Sequence, residues 1–431
     1  MGVNRVYNVI IVGGGASGLL AAQAAASAGV SVLLLERMPR LGCKLRITGK
    51  GRCNITNLRP INEYSEVMHG AVELLEEAFN QFDNHAIVAL LEEEGVPTVL
   101  ERGIRVYTAS GRAQDVVDAL ERRCRRLGVE IRCGVMVNNI SRTAEGLWSA
   151  QTTTNGEQVT IYGDTLILAC GGKGYPRTGS DGSGYTLAQS VGHTLEDIFP
   201  ALVGFSTGPR LLESGRYVLR NVGVEVRVEE DAIARDFGEV ELTDEGVGGS
   251  AILRVSRITM EAIRRGESPK ITLDLKPALS HTQLEARIRR DIAKRGNERL
   301  HSLARAWVPY QLVKTLLRFS GVSSKALGAE LTDKDVTSLV NTLKCIRLRV
   351  RDHEGWNRVV VTAGGVRGQE MDPKTLESRM APGLYICGEL LDLDANTGGY
   401  NLQIAYSTGV LAGRSAAQQI LAKQTSTPPE G

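Results

Sequence analysis

Aromatic residues are scarce in this 431-residue chain, at 5%, and no platform for stacking bases is evident. There are only six histidines (69, 85, 193, 281, 301 and 353), and neither H-x-H nor H-E-x-x-H occurs, so no metal is expected. The seven cysteines (43, 53, 124, 133, 170, 345 and 387) form no C-x-x-C pair. An odd, scattered set suggests reduced thiols in a cytoplasmic protein rather than a disulfide framework. An excess of one charge is also missing. Lys and Arg number 51 against 49 Asp and Glu, a net +2. That balance supplies no global field for nucleic acid or an anionic membrane, and neither partner is expected. No apolar run is long enough to span a bilayer. Arg5 precedes an apolar stretch, but Gly13 to Gly15 interrupt it, which argues against a signal peptide. A nucleophile elbow and a G-K-[ST] loop are both absent.

What the chain does have is glycine, and the most telling glycines come first. Val9-Ile10-Ile11-Val12 reads as a buried parallel strand, followed by Gly13-Gly14-Gly15-Ala16-Ser17-Gly18. Gly13, Gly15 and Gly18 match G-x-G-x-x-G, which allows a tight turn and close approach to a pyrophosphate. The helix after it, over Leu19 to Ala28, would point its N-terminal N–H groups at that anion. Gly29 closes the helix, and the next strand ends at Glu36-Arg37. Glu36 stands near the spacing of a carboxylate that grips a ribose hydroxyl. Strand, turn, helix, strand and acid together make a dinucleotide-binding unit.

Two further segments carry the same kind of signal. Gly42 to Asn57 contains Lys44, Thr48, Gly49, Gly51, Arg52, Cys53 and Asn54. It reads as too irregular for a helix or a central strand, and its glycines would admit a cofactor to the main chain. Lys44, Arg46 and Arg52 can offset phosphate or reduced-flavin charge. Near the other end, Leu384-Tyr385-Ile386-Cys387-Gly388-Glu389 is a short strand ending in Gly-acid. Thr397-Gly398-Gly399-Tyr400-Asn401-Leu402-Gln403 then opens a small-residue helix over Ala405 to Gly413, whose N-terminus would favour negative charge. Cys53 has no cysteine close in sequence, and packing is its simpler role.

Between these segments the pattern changes. Periodicity predicts helices over 72–82, 84–94 and 114–127, the last stopped by Gly128. Strands are predicted over 129–137 and 165–169, the latter running into Cys170-Gly171-Gly172. From Phe199-Pro200 onward, Tyr217 to Glu229 and Gly238 to Leu242 alternate apolar and polar residues as antiparallel strands do. A helix over 251–264, a strand over 270–275 and short basic-faced helices over 284–340 follow. The glycine-rich apolar pattern returns at Arg358 to Gly365. The fold class expected is α/β: a discontinuous Rossmann-like domain, 1–197 with 353–424, an insertion at 198–352, and a flexible tail at 425–431.

The motifs Thr48-Gly49-Lys50-Gly51-Arg52-Cys53-Asn54-Ile55-Thr56-Asn57 and Thr397 to Gln403, with Ala363-Gly364-Gly365-Val366 and Asp372 to Ser378, resemble the BaiN-like, aminoacetone-oxidase-like NAD(P)/FAD-dependent oxidoreductases. The resemblance spans nearly the whole chain. It implies FAD on the Rossmann-like domain and a β-barrel-plus-helices insertion covering the flavin. The contacts implied are Gly13, Gly15, Ser17, Gly18, Glu36, Arg37, Lys44, Thr48, Gly51, Arg52, Cys53 and Asn54, with the Val135 backbone near adenine. Gly388, Glu389, Asn401 and Leu402 would lie toward the ring. Ala16, Gly49 and Gly171 complete the cofactor set expected here. The chain departs from the family at Thr243 to Ser250, which lacks the histidine of Thr-His-x-Gly-x-Ser-Gly-Pro. A substrate role for that histidine does not carry over.

With one G-x-G-x-x-G and no second nucleotide domain, NADH or NADPH would dock transiently as electron donor. The expected activity is hydride transfer through flavin N5, in an NAD(P)H-dependent reductase of a small enone-like substrate. An oxidase of a small amine remains the alternative, with an RNA-modifying flavoprotein behind it. Arg52 is the candidate for stabilising reduced flavin, and Tyr400 and Asn401 for the substrate side.

Overall fold

The computed structural model describes residues 5–64 and 66–426. They form two compact units. One is the stretch ending at Pro200 together with the stretch from Val359 onward; the other is Ala201–Arg358.

The first unit is built on a seven-stranded sheet. Val6–Val12 lies parallel between Val32–Glu36 and the C-terminal half of Glu157–Leu168, and Glu130–Cys133 extends the parallel side. Continuous apolar runs suit strands covered on both faces, and Val9, Ile10, Ile11, Leu33 and Leu34 are fully buried. On its other edge the strand Glu157–Leu168 serves two partners in succession. Its first half pairs antiparallel with Trp148–Thr154, and its last turn of residues pairs parallel with Leu384–Ile386. Two helices cover one another along the sheet. Gly409 and Gly413 of Tyr400–Ser426 meet the Ser17 and Ala21 carbonyls of Ala16–Ser27 so closely that a β-carbon at either would overlap them.

Several expectations change here. The single strand over 129–137 is two, Glu130–Cys133 and Met136–Arg142. Between them the Gly134 and Val135 N–H groups turn to the Met38 and Glu36 carbonyls, at 3.0 and 2.9 Å. The segment Gly42 to Asn57 is more ordered than its composition suggests. It holds the short helix Cys43–Ile47, a tight turn and the strand Asn54–Asn57, paired with Arg105–Thr108. Of the expected tail, residues 425 and 426 close the helix Tyr400–Ser426; 427–431 lie outside the described residues.

In the second unit, six antiparallel strands close into a barrel: Phe205–Gly208, Gly246–Gly248, Asp231–Thr243, Arg216–Val228, Lys270–Asp274 and Ile346–His353. Closure leaves no free sheet edge. The helices Ser250–Arg264, His281–Arg295, Tyr310–Ser320 and Asp333–Lys344 accompany it. Ile346–His353 pairs with Phe205–Gly208, so the strand reaching residue 353 belongs to the insertion.

Candidate functional site

The site grows from the glycine turn at the C-terminal ends of the central strands, where open α/β sheets bind ligands. Each glycine of the turn has its own reason. Gly13 has φ +110° and abuts the Ala169 carbonyl, so no side chain fits. Gly18 packs its α-carbon against the Gly13 carbonyl, which seats the helix on the strand. Gly15, by contrast, faces open space, with nothing within 4 Å of a β-carbon built there. It stands at the N-cap of Ala16–Ser27, where helix N–H groups and the dipole favour an anion. This combination of two closed positions around one open one fits a pyrophosphate.

Glu36 closes the same turn from below. Its carboxylate accepts the Gly14 N–H at 2.6 Å and the Met38 N–H at 2.7 Å. Burial pushes its pKa up, against those hydrogen bonds. A carboxylate has about four acceptor positions, so the two engaged here leave capacity for ribose hydroxyls. Arg37 does not stand alone. It is paired with Asp181, beside Ser183. Asp181 belongs to a second glycine loop, Gly179-Ser180-Asp181-Gly182, leading into the helix Ser183–Ser190. Ser180 is buried, its hydroxyl has no hydrogen-bond partner among the described residues, and it lies against Gly171. The sequence reading missed this loop, although its glycine density was the available signal.

The other two motifs meet one another. Asn57 Nδ2 donates to the Gly398 carbonyl at 3.1 Å, and Thr56 Oγ1 donates to Gln403 Oε1 at 2.7 Å. Gly399 lies directly on the Thr56 backbone. Lys44 Nζ reaches Glu389 Oε2 at 2.7 Å, and Glu389 Oε1 accepts the Thr362 N–H at 2.9 Å. Gly388 has φ +72° and touches the Ser17 hydroxyl, which ties this motif to the first helix. Thr48 folds back on Leu45, and Cys53 N–H donates to the Thr48 carbonyl at 3.0 Å. Cys53 is fully buried beside Tyr406, and burial pushes its thiol to about 12, far from the thiolate a redox role needs.

The candidate catalytic residues are placed differently. Arg52 is half-exposed, paired with Glu101 and stacked 4.5 Å from the Tyr107 ring centre. Tyr400 is buried with its ring edge-on to Tyr64 at 4.9 Å. The Asn401 amide is committed at both ends to Ala395, accepting its N–H at 2.9 Å and donating to its carbonyl at 2.6 Å. Leu402 remains partly exposed at the helix start, and Val135 sits buried on the Glu36 carbonyl. Three of the four arginines in the basic run over 122–126 are paired with acids, and Arg122 donates to the Glu94 carbonyl. Arg123 and Arg126 share Glu94, and Arg125 pairs with Glu121.

Fold and site together define a Rossmann-type, FAD-dependent oxidoreductase. The chain belongs to the family of the HI0933-like protein Rossmann domain, whose model matches residues 7–415. It is 34% identical over 412 residues to the 3-dehydro-bile acid delta(4,6)-reductase of Clostridium scindens, covering 95% of this chain and 98% of that one. It is 28% identical over 424 residues to the ribosomal RNA dihydrouridine synthase of Escherichia coli, covering 97% and 99%. Among solved structures, E. coli quinol fumarate reductase FrdA superposes with a TM-score of 0.54 at 16% identity, over 99% of this chain and 72% of that one; that likeness is one of fold.

Proposed function

We propose that the protein is a reductase that takes hydride from NADH or NADPH and delivers it to a carbon–carbon double bond conjugated to a carbonyl in a small organic substrate. The observation that carries this reading is the chemistry common to two full-length relatives. A delta(4,6)-reductase of a 3-dehydro-bile acid works on double bonds conjugated to a ring ketone. Dihydrouridine formation saturates the uracil double bond, also conjugated to a carbonyl. The substrates differ, but the electron-poor alkene is shared.

FAD, when bound, supplies the ring that accepts and donates hydride. The chain's residues bind and orient it. The Gly13, Gly15, Ala16, Ser17 and Gly18 turn would hold the pyrophosphate, and Glu36 and Arg37 the ribose side, with Val135 and Gly171 adjoining. Lys44, Thr48, Gly49, Gly51, Arg52, Cys53, Asn54, Gly388, Glu389, Asn401 and Leu402 would frame the rest. Arg52 would place positive charge by the reduced ring, with Glu101 fixing its direction. Asn401 acts as a positioning residue through Ala395, and Tyr400 closes the substrate side.

The test is incubation with NADPH or NADH and a 3-oxo-4,6-diene bile acid, with products read by mass spectrometry. The expected product is heavier by two hydrogens for each bond reduced. An unchanged dienone, with a small amine consumed at the expense of oxygen, would replace this reading by the amine oxidase. Arg52→Ala is expected to slow flavin reduction by at least about tenfold, as loss of one stabilising donor does. Wild-type reduction in that variant would remove Arg52 from the role.

A further inference from the structure

The barrel carries a cationic surface built from residues outside the cofactor set named above. Along Ile346–His353, buried Ile346, Leu348 and Val350 alternate with exposed Arg347, Arg349 and Arg351. At about 3.4 Å per residue, the three arginines recur every ~7 Å along one face. A row of cations crosses this column. Arg349 stands directly opposite Lys270, and Lys270 opposite Arg227 on the next strand. Like charges facing one another across strands destabilise a sheet. Arg227 has Glu225, which also holds Arg235. Arg347, Arg349, Arg351 and Lys270 have no ion pair among the described residues. Some other arginines of this unit are matched, Arg289 by Glu285 and Asp333 and Arg295 by Glu298.

Beside the column lies an open cavity of about 390 Å³, lined by Gly208, Arg349, Val350 and Arg351. A β-carbon at Gly208 would stand 2.7 Å from the Arg351 guanidinium, so the guanidinium packs directly on the Gly208 backbone. The neighbours on this face are half-buried Ser206 and Thr272 and buried Gly208, not the apolar side chains that a lipid surface takes up. A single phosphate would need one or two of these cations. A straight column of three, with a fourth alongside, matches a repeating anion.

We propose that this face docks one phosphodiester strand of a nucleic acid, with Arg347, Arg349 and Arg351 on successive phosphates and Lys270 flanking them. Contacts of this kind position a strand and carry little sequence preference. The inference is independent of the hydride acceptor, since phosphates dock whether or not an alkene is reduced.

The experiment is fluorescence anisotropy of a labelled oligouridylate of about 20 nucleotides with the full-length, FAD-loaded protein, between about 50 and 200 mM salt. Wild-type protein is expected to bind and to weaken with salt. In R347Q/R349Q/R351Q the log–log salt slope should fall by about 2, from three single-strand phosphates at about 0.7 each, so the loss of affinity over that range shrinks about 20-fold. R349Q alone should lower the slope by about 0.7 and serves as the milder variant should the triple one misfold. No wild-type binding at the lowest salt overturns the proposal. So does arginine replacement that leaves affinity and slope unchanged in a folded variant. Equal capture by phosphatidylserine vesicles overturns it in favour of a lipid surface.

Discussion

Gly15 and Gly18 stand three residues apart and are glycine for opposite reasons. Gly18 is closed by the Gly13 carbonyl; Gly15 opens on the space assigned to the pyrophosphate. Alanine at 18 should therefore lower the melting temperature of the apoprotein and abolish FAD retention together. Alanine at 15 should leave the apoprotein's melting temperature unchanged but weaken FAD by about tenfold or more, a cost of about 1.4 kcal/mol or above. Parallel thermal melts and flavin titrations of the two variants separate the effects, and identical behaviour would contradict the assignment. Glu94 gives a second residue-scale prediction. Its hydrogen bond from Arg126, with help from Arg123, holds its carboxyl below the ordinary value of 4.5. The stabilisation is thus present above that value and is lost as pH falls through the lowered pKa. Glu94→Gln should melt earlier than wild type at neutral pH, with the gap closing in acid. The glycine roles were legible because they lie within one local turn. Arg37's partner Asp181, 144 residues later, and the acids that pair with the basic run were not, because spacing along a chain says nothing about charges brought in from other elements. A chain from Ser378 Oγ to His193 Nε2 at 2.8 Å, and from His193 Nδ1 to Glu370 at 2.7 Å, looks like a nucleophile triad. Ser378, however, is buried and accepts the Met380 and Ala381 N–H groups, so it ties three segments together.

At the scale of elements, the decisive contact is helix on helix. Tyr400–Ser426 rests on Ala16–Ser27 through Gly409 and Gly413. Helix propensity alone predicts that Gly409→Ala stabilises, by about 1 kcal/mol. The overlap with the Ser17 carbonyl predicts the reverse, a loss of about 1–3 kcal/mol from overpacking. Denaturant melts decide between them, and a stabilised variant would mean the helices stand further apart. The long elements were readable wherever their periodicity was strong, as in Asn84–Glu93 and Ala113–Arg126. The break at Gly134 was not, since it is made by hydrogen bonds to Met38 and Glu36, nearly a hundred residues earlier. The strand Asn54–Asn57 was equally hidden. It exists because Arg105–Thr108 pairs with it, and its own four residues carry no strand pattern.

At the scale of the molecule, one chain interrupts a glycine-rich α/β unit with a six-stranded barrel and then returns to finish it. The alternating residues of the insertion announced antiparallel strands; the closure of the barrel depends on Ile346–His353 meeting Phe205–Gly208, a pairing between its two ends that no local pattern contains. The same alternation concealed the arginine column, because net charge averages it against acids elsewhere. The central claim is that electrons enter from a nicotinamide nucleotide and leave to a conjugated double bond. An anaerobic titration of the FAD-loaded protein with NADH and NADPH, followed by flavin absorbance and then by addition of a dienone, tests it most directly. Bleaching by one of the nucleotides and recovery of the oxidised spectrum on adding the dienone is the result predicted. A flavin that stays oxidised with both nucleotides, yet bleaches with a small amine, would contradict it.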